Sequence, residues 1–143
     1  MRTIALAALA SLLVLACAIA AGYLWWTQPT VSIERQGARS VVVHTELLGD
    51  YPSDVGSIQI KEAASEKTVW SALPEGEMVQ IHSFVLRAGT NDWRPRVFWG
   101  RFRPASTGEA ATFSLDSGVR YIVRVCAPSV FPLCRSETFV FDE

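Results

Sequence analysis

The sequence predicts an all-β fold, a β-sandwich of about seven to nine short strands, preceded by one N-terminal transmembrane or signal helix. Three observations point there. The first 28 residues hold 22 apolar side chains and a single charge, Arg2. Past Pro29 the apolar pattern changes from continuous to alternating, which is the period of a strand. Turn-forming clusters then recur at short intervals, and no later stretch carries a secure helical period. The division is therefore 1–28 as anchor or signal segment and 29–143 as one domain, a length that suits a single core.

From Ile4 to Trp26 there are 23 residues without a charge. A helix of that length spans roughly 35 Å, against about 30 Å of hydrocarbon in a bilayer. Tyr23, Trp25 and Trp26 gather at its end, where amphipathic rings favour the headgroup level. Pro29 stops the helix. Arg2 and the α-amino group hold the N-terminus in the cytoplasm, which puts the domain outside it. Two other fates use the same residues. Ala16-Cys17-Ala18 and Ala18-Ile19-Ala20 fit the small-residue pattern of a signal-peptide cleavage site. Val14-Leu15-Ala16-Cys17 resembles the lipobox of bacterial lipoproteins, which implies lipidation at Cys17. All three fates export the domain. The expected address is the bacterial inner membrane, single-pass, with residues 4–26 in lipid and the domain periplasmic. A lipoprotein or a secreted periplasmic protein is the alternative.

Within the domain, Val31 and Ile33 alternate with polar neighbours, and Val41 to Val43 form a β-branched run. Ile58 and Ile60 alternate with Ser57, Gln59 and Lys61. Further strands are expected over 68–73, 78–86, 96–103, 110–115, 119–127 and 137–141. Turns are expected at 49–52, 74–76, 89–92, 104–108 and 116–118. Positions 62–67 are helix-compatible but short. Strands at this spacing read as a sandwich.

One local pattern carries a resemblance. Leu115 is followed six residues later by Tyr121, then by Val123 and Val125. This resembles the corner between strands E and F of fibronectin type III and other immunoglobulin-like domains. The resemblance covers 115–125. It implies that the Tyr121 hydroxyl bonds to backbone just upstream, beside a buried Leu115, while Arg120, Ile122 and Arg124 face outward. The segment 78–103 departs from that family as an additional hairpin.

Cys126 and Cys134 bracket a seven-residue segment between the last two expected strands. An even pair in an oxidising compartment bonds. So short a closed loop stabilises the fold by roughly 2–3 kcal/mol, by restricting the unfolded chain. The loop displays Val130, Phe131 and Leu133 at what should be a tip, and Phe131 is a candidate contact.

No catalytic set is legible. His44 and His82 lie in strands. There is no Gly-x-Ser-x-Gly elbow, phosphate-binding glycine loop or paired-His metal motif. Neither a cofactor nor enzymatic activity is expected, and an envelope glycan hydrolase is the least favoured reading. The net charge of -1 gives no basis for a nucleic-acid partner. Charge distribution says more. Glu46 to Glu77 holds seven acidic residues and two lysines, whereas Arg87 to Arg103 holds five arginines and one aspartate. In that second stretch Trp93, Arg94, Arg96, Trp99, Arg101 and Arg103 mix arginine with aromatics, the composition of interface hot spots. The expected work is binding, as an accessory or assembly subunit of an envelope complex. The alternative is a lipoprotein acting as an inhibitor, immunity or ligand-binding protein.

Overall fold

Past the N-terminal helix the chain folds predominantly as β-structure, with thirteen strands among the described residues in three antiparallel sheets. A computed structural model describes residues 2–26, 29–47, 51–76, 79–92, 96–100, 102–104, 112–128 and 133–142. Helix α1 (Arg2–Trp26) runs uninterrupted because no proline breaks it. Its apolar side chains point in every direction: Leu9, Leu12, Leu13, Val14, Leu15 and Ile19 are 58–69% exposed. The expectation of a transmembrane helix is met only as a helix. Among the described residues no helix is long and apolar enough to cross a membrane.

The first sheet runs β1 (Ser32–Arg35), β2 (Ser40–His44), β7 (Val79–Arg87), β4 (Tyr51–Val55) and β3 (Glu46–Leu47), with β9 (Arg96–Trp99) also paired to β7. Strands β2 and β4 take successive stretches of one edge of β7, 83–87 and then 79–81. Strand β9 takes the opposite edge. The junction is Thr45, fully buried, whose amide donates to His82 O at 2.9 Å and whose hydroxyl donates to Ile81 O at 2.7 Å. At that point β7 slips by one residue. Val79 and Ile81 are buried, and then Phe84 and Leu86 rather than the next odd positions. A bulge at His82–Ser83 keeps all four on the core face.

The second sheet runs β10 (Phe102–Pro104), β6 (Thr68–Pro74), β5 (Ser57–Glu62), β12 (Arg120–Cys126) and β13 (Cys134–Val140). A third pairs β8 (Gly89–Asp92) with β11 (Thr112–Leu115). Buried side chains from all three sheets fall in one core, an arrangement compatible with a sandwich. Along β12 the alternation is regular: Tyr121, Val123 and Val125 are buried while Arg120, Ile122 and Arg124 are not, as the period-two reading requires. Arg35 ties the two large sheets together. It donates to Val140 O at the end of β13 at 3.1 Å and to Asp142 Oδ2 just past it at 2.6 Å.

Several expectations need correction. There are thirteen described strands, not seven to nine, and three sheets rather than two layers alone. The strand expected over 96–103 is two, β9 and β10, which belong to different sheets. Gly100 separates them with φ +89°, a conformation natural to glycine. The expected turn at 49–52 lies partly in a strand, since Tyr51 and Pro52 open β4 opposite β3. The last strand starts at Cys134 rather than 137, because Cys126 and Cys134 are paired in register.

Gly56 carries the chain from the first sheet to the second. Its amide donates to Cys126 O at 2.8 Å. A Cβ there would stand 2.7 Å from Pro128 Cα and 2.8 Å from Pro128 N. Backbone has no flexible end to move aside, so Gly56→Ala is expected to destabilise the domain by about 1–3 kcal/mol. Urea denaturation of the full chain in detergent checks this. Gly22→Ala, where a methyl meets nothing within 4 Å, should leave the transition in place.

Candidate interaction surfaces

The strongest local expectation concerned the corner at Tyr121. Its hydroxyl oxygen accepts from the Asp116 amide at 2.8 Å, five residues upstream. Leu115 is fully buried beside it, and Tyr121 is 3% exposed. The Tyr121 ring also packs on Phe139 at 5.7 Å between centroids. The corner fastens the turn between β11, in the small sheet, and β12, in the second sheet.

Cys126 and Cys134 are disulfide-bonded, and the adjacent Ala127 amide donates to Leu133 O at 2.9 Å. The bridge joins neighbouring strands of one sheet and closes the hairpin at the end where Gly56 meets Pro128. Phe131, at the expected apolar tip, lies outside the described residues. Cys17 is a free, exposed cysteine on α1.

The arginine-aromatic stretch is placed by its backbone. Trp93, Arg94 and Arg101 lie outside the described residues. Arg96 pairs with Ser83 and Trp99 with Gln80 on the outer edge of β7. Arg103 pairs with Leu73 on β6. Both β9 and β10 are edge strands, so this segment passes from the rim of one large sheet to the rim of the other. Expecting one strand hid that crossing. Among the described residues no further strand pairs with the outer edge of either.

The opposite rim behaves differently. Residues paired in register share a face. Arg135 lies opposite Val125 and Glu137 opposite Val123, so both charges stand on the core side of edge strand β13. Both are exposed. Charges turned inward at an edge discourage a further strand from adding there. Nothing in the sequence marked these two, because their face depends on pairing with β12.

Among the described residues no group of three or more His, Cys, Asp or Glu could hold a metal. His44 Nε2 lies 3.0 Å from Glu34 Oε2 across β1 and β2, on the outer surface of the first sheet. The chain matches no family model, no curated protein and no solved structure.

Proposed function

We propose that this protein is a membrane-anchored binding module, held by α1 with its β domain outside the cytoplasm, serving as an accessory or assembly subunit of a bacterial envelope complex. One observation carries the reading. A helix whose apolar side chains stand exposed all round is joined, through only Thr27 and Gln28, to a disulfide-bonded β domain that begins at a buried Pro29. Apolar surface on every side of a helix needs a cover, and lipid supplies it. The uncharged run from Ile4 to Trp26 has the length for it. A disulfide between neighbouring strands belongs in an oxidising compartment. In fold the domain is an immunoglobulin or fibronectin type III-like sandwich, a reading supported by the Tyr121 corner and the shared core.

The contact surface is the rim formed by β9 and β10. Replacing Arg94, Arg96, Arg101 and Arg103 with Ser is expected to reduce capture of the partner at least tenfold, as loss of a hot spot does. The measurement is co-purification from detergent-solubilised membranes, with the Cys126–Cys134 bond confirming the fold. Undiminished capture by the folded variant removes this rim as the contact. The exposed thiol of Cys17 supports a second reading, a lipoprotein with an inhibitor, immunity or ligand-binding role. Mass spectrometry of the mature N-terminus separates the two, since an acylated Cys17 at the terminus fits only the lipoprotein.

A further inference from the structure

Three cations share the outer face of the second sheet. Arg120 and Arg124 flank Ile122 on β12 and face away from the core. Lys61 on β5 is in register with Ile122, so it emerges on the same face between the two arginines. Hydrogen-bonding side chains surround them. Thr138 lies opposite Ile122 and Ser136 opposite Arg124 on β13. Gln59 lies opposite Arg124 on β5, and Ser71 opposite Gln59 on β6.

No carboxylate takes an outward register position in these four strands. Glu62 pairs with Tyr121 and Glu137 with Val123, which puts both on the inward side. None of the three cations forms an ion pair with a described residue. Diagonal neighbours on a sheet are roughly 7–8 Å apart, close enough for like charges to repel. A face built this way costs stability until an anion lies against it.

The connection to α1 says which anion is near. Between the end of the helix at Trp26 and the buried Pro29 there are two residues, a reach of at most about 11 Å. That is less than the radius of gyration, about 13 Å, of a 100-residue domain. The domain is therefore held at the bilayer surface rather than projected away from it. We infer that the Lys61–Arg120–Arg124 face rests on the anionic phosphate headgroups of the same bilayer, fixing how the domain lies and which rim it offers to a partner. This inference rests on the anchoring of α1 proposed above.

The chain's only two lysines make the test direct. Lys61 is on the face, and Lys67 follows the turn after β5, exposed and off the face. The full chain is placed in nanodiscs of phosphatidylcholine, with or without about one third phosphatidylglycerol, and acylated briefly with an amine-reactive ester. Mass spectrometry then gives the ratio of Lys61 to Lys67 modification. On the anionic discs the ratio should fall about threefold or more at low salt and recover near 0.5 M sodium chloride, as screening of a surface contact requires. Arg120→Gln with Arg124→Gln should abolish the fall. A ratio indifferent to lipid charge overturns the inference, as does a fall that survives salt or the double substitution. Failure of the chain to enter the neutral discs is a separate result, which overturns the anchoring itself.

Discussion

Leu12→Arg together with Leu15→Arg is expected to remove the protein from the membrane fraction. Each arginine near the centre of a spanning helix costs about 2.5–3.5 kcal/mol on the insertion scale, and each lost leucine forfeits a few tenths more. Two substitutions sum to roughly 6–8 kcal/mol, a partition change of more than a thousandfold. Leu12 and Leu15 are 66% and 58% exposed, so no packing against the domain offsets or confuses the cost. Carbonate extraction of cell membranes gives the primary readout: the natural chain stays with the pellet and the double variant does not. The two cysteines give the second. A domain stranded in the cytosol keeps Cys126 and Cys134 reduced, so both take up an alkylating label without prior reduction. Leu12→Ile with Leu15→Ile should behave as the natural chain. A double-arginine variant that still pellets with carbonate-washed membranes, its disulfide formed, would remove α1 as the anchor.

How much of this was written in the sequence differs from element to element, for physical reasons. Strand β12 was plain, because Val123, Val125 and Tyr121 alternate with Arg120, Ile122 and Arg124, and period two is a local signal. The Tyr121 corner was legible for the same reason: donor and acceptor lie five residues apart. Strand β7 was visible as a strand, but its bulge was not. The slip at His82–Ser83 answers to Thr45, 37 residues away, whose bonds hold the kink. The split of 96–103 into β9 and β10 escaped because a glycine's φ cannot be read from its neighbours, and the positive φ of Gly100 ends one strand before the next begins. Pro52 fell within an expected turn, yet it is the second residue of β4, opposite Glu46 of β3, and a proline is tolerated near the start of a strand. The cationic face was half legible. Spacing alone puts Arg120 and Arg124 together, but bringing Lys61 between them takes the register of β5 on β12. Charges that the sequence spreads over 64 positions become neighbours only when long-range pairing forms.

Trp70→Ala is expected to cost the domain about 3–5 kcal/mol, the range for truncating a buried tryptophan. Trp70 is 1% exposed in the middle of β6 and among the largest fully buried side chains. Its ring stacks on Phe113 of β11 at 4.8 Å between centroids. It therefore does more than fill volume: it joins the second sheet to the small one, and β11 leads directly into Leu115 and the Tyr121 corner. Loss of the ring removes the platform under β11 and leaves a cavity that strands on a fixed ladder close poorly. Against a total stability of about 5–15 kcal/mol for a domain, that loss brings unfolding close to ambient conditions. Urea denaturation of the full chain in detergent, followed by tryptophan fluorescence and by circular dichroism, gives the midpoint. Trp70→Phe keeps an aromatic ring for Phe113 and should recover a large share of the loss. Val85→Ala, at a side chain 41% exposed on the outer face of β7, should stay within about 0.5 kcal/mol, as surface substitutions do. A Trp70→Ala midpoint matching that of Val85→Ala would mean that Trp70 is not buried between the sheets, and the shared core would have to be redrawn around other residues.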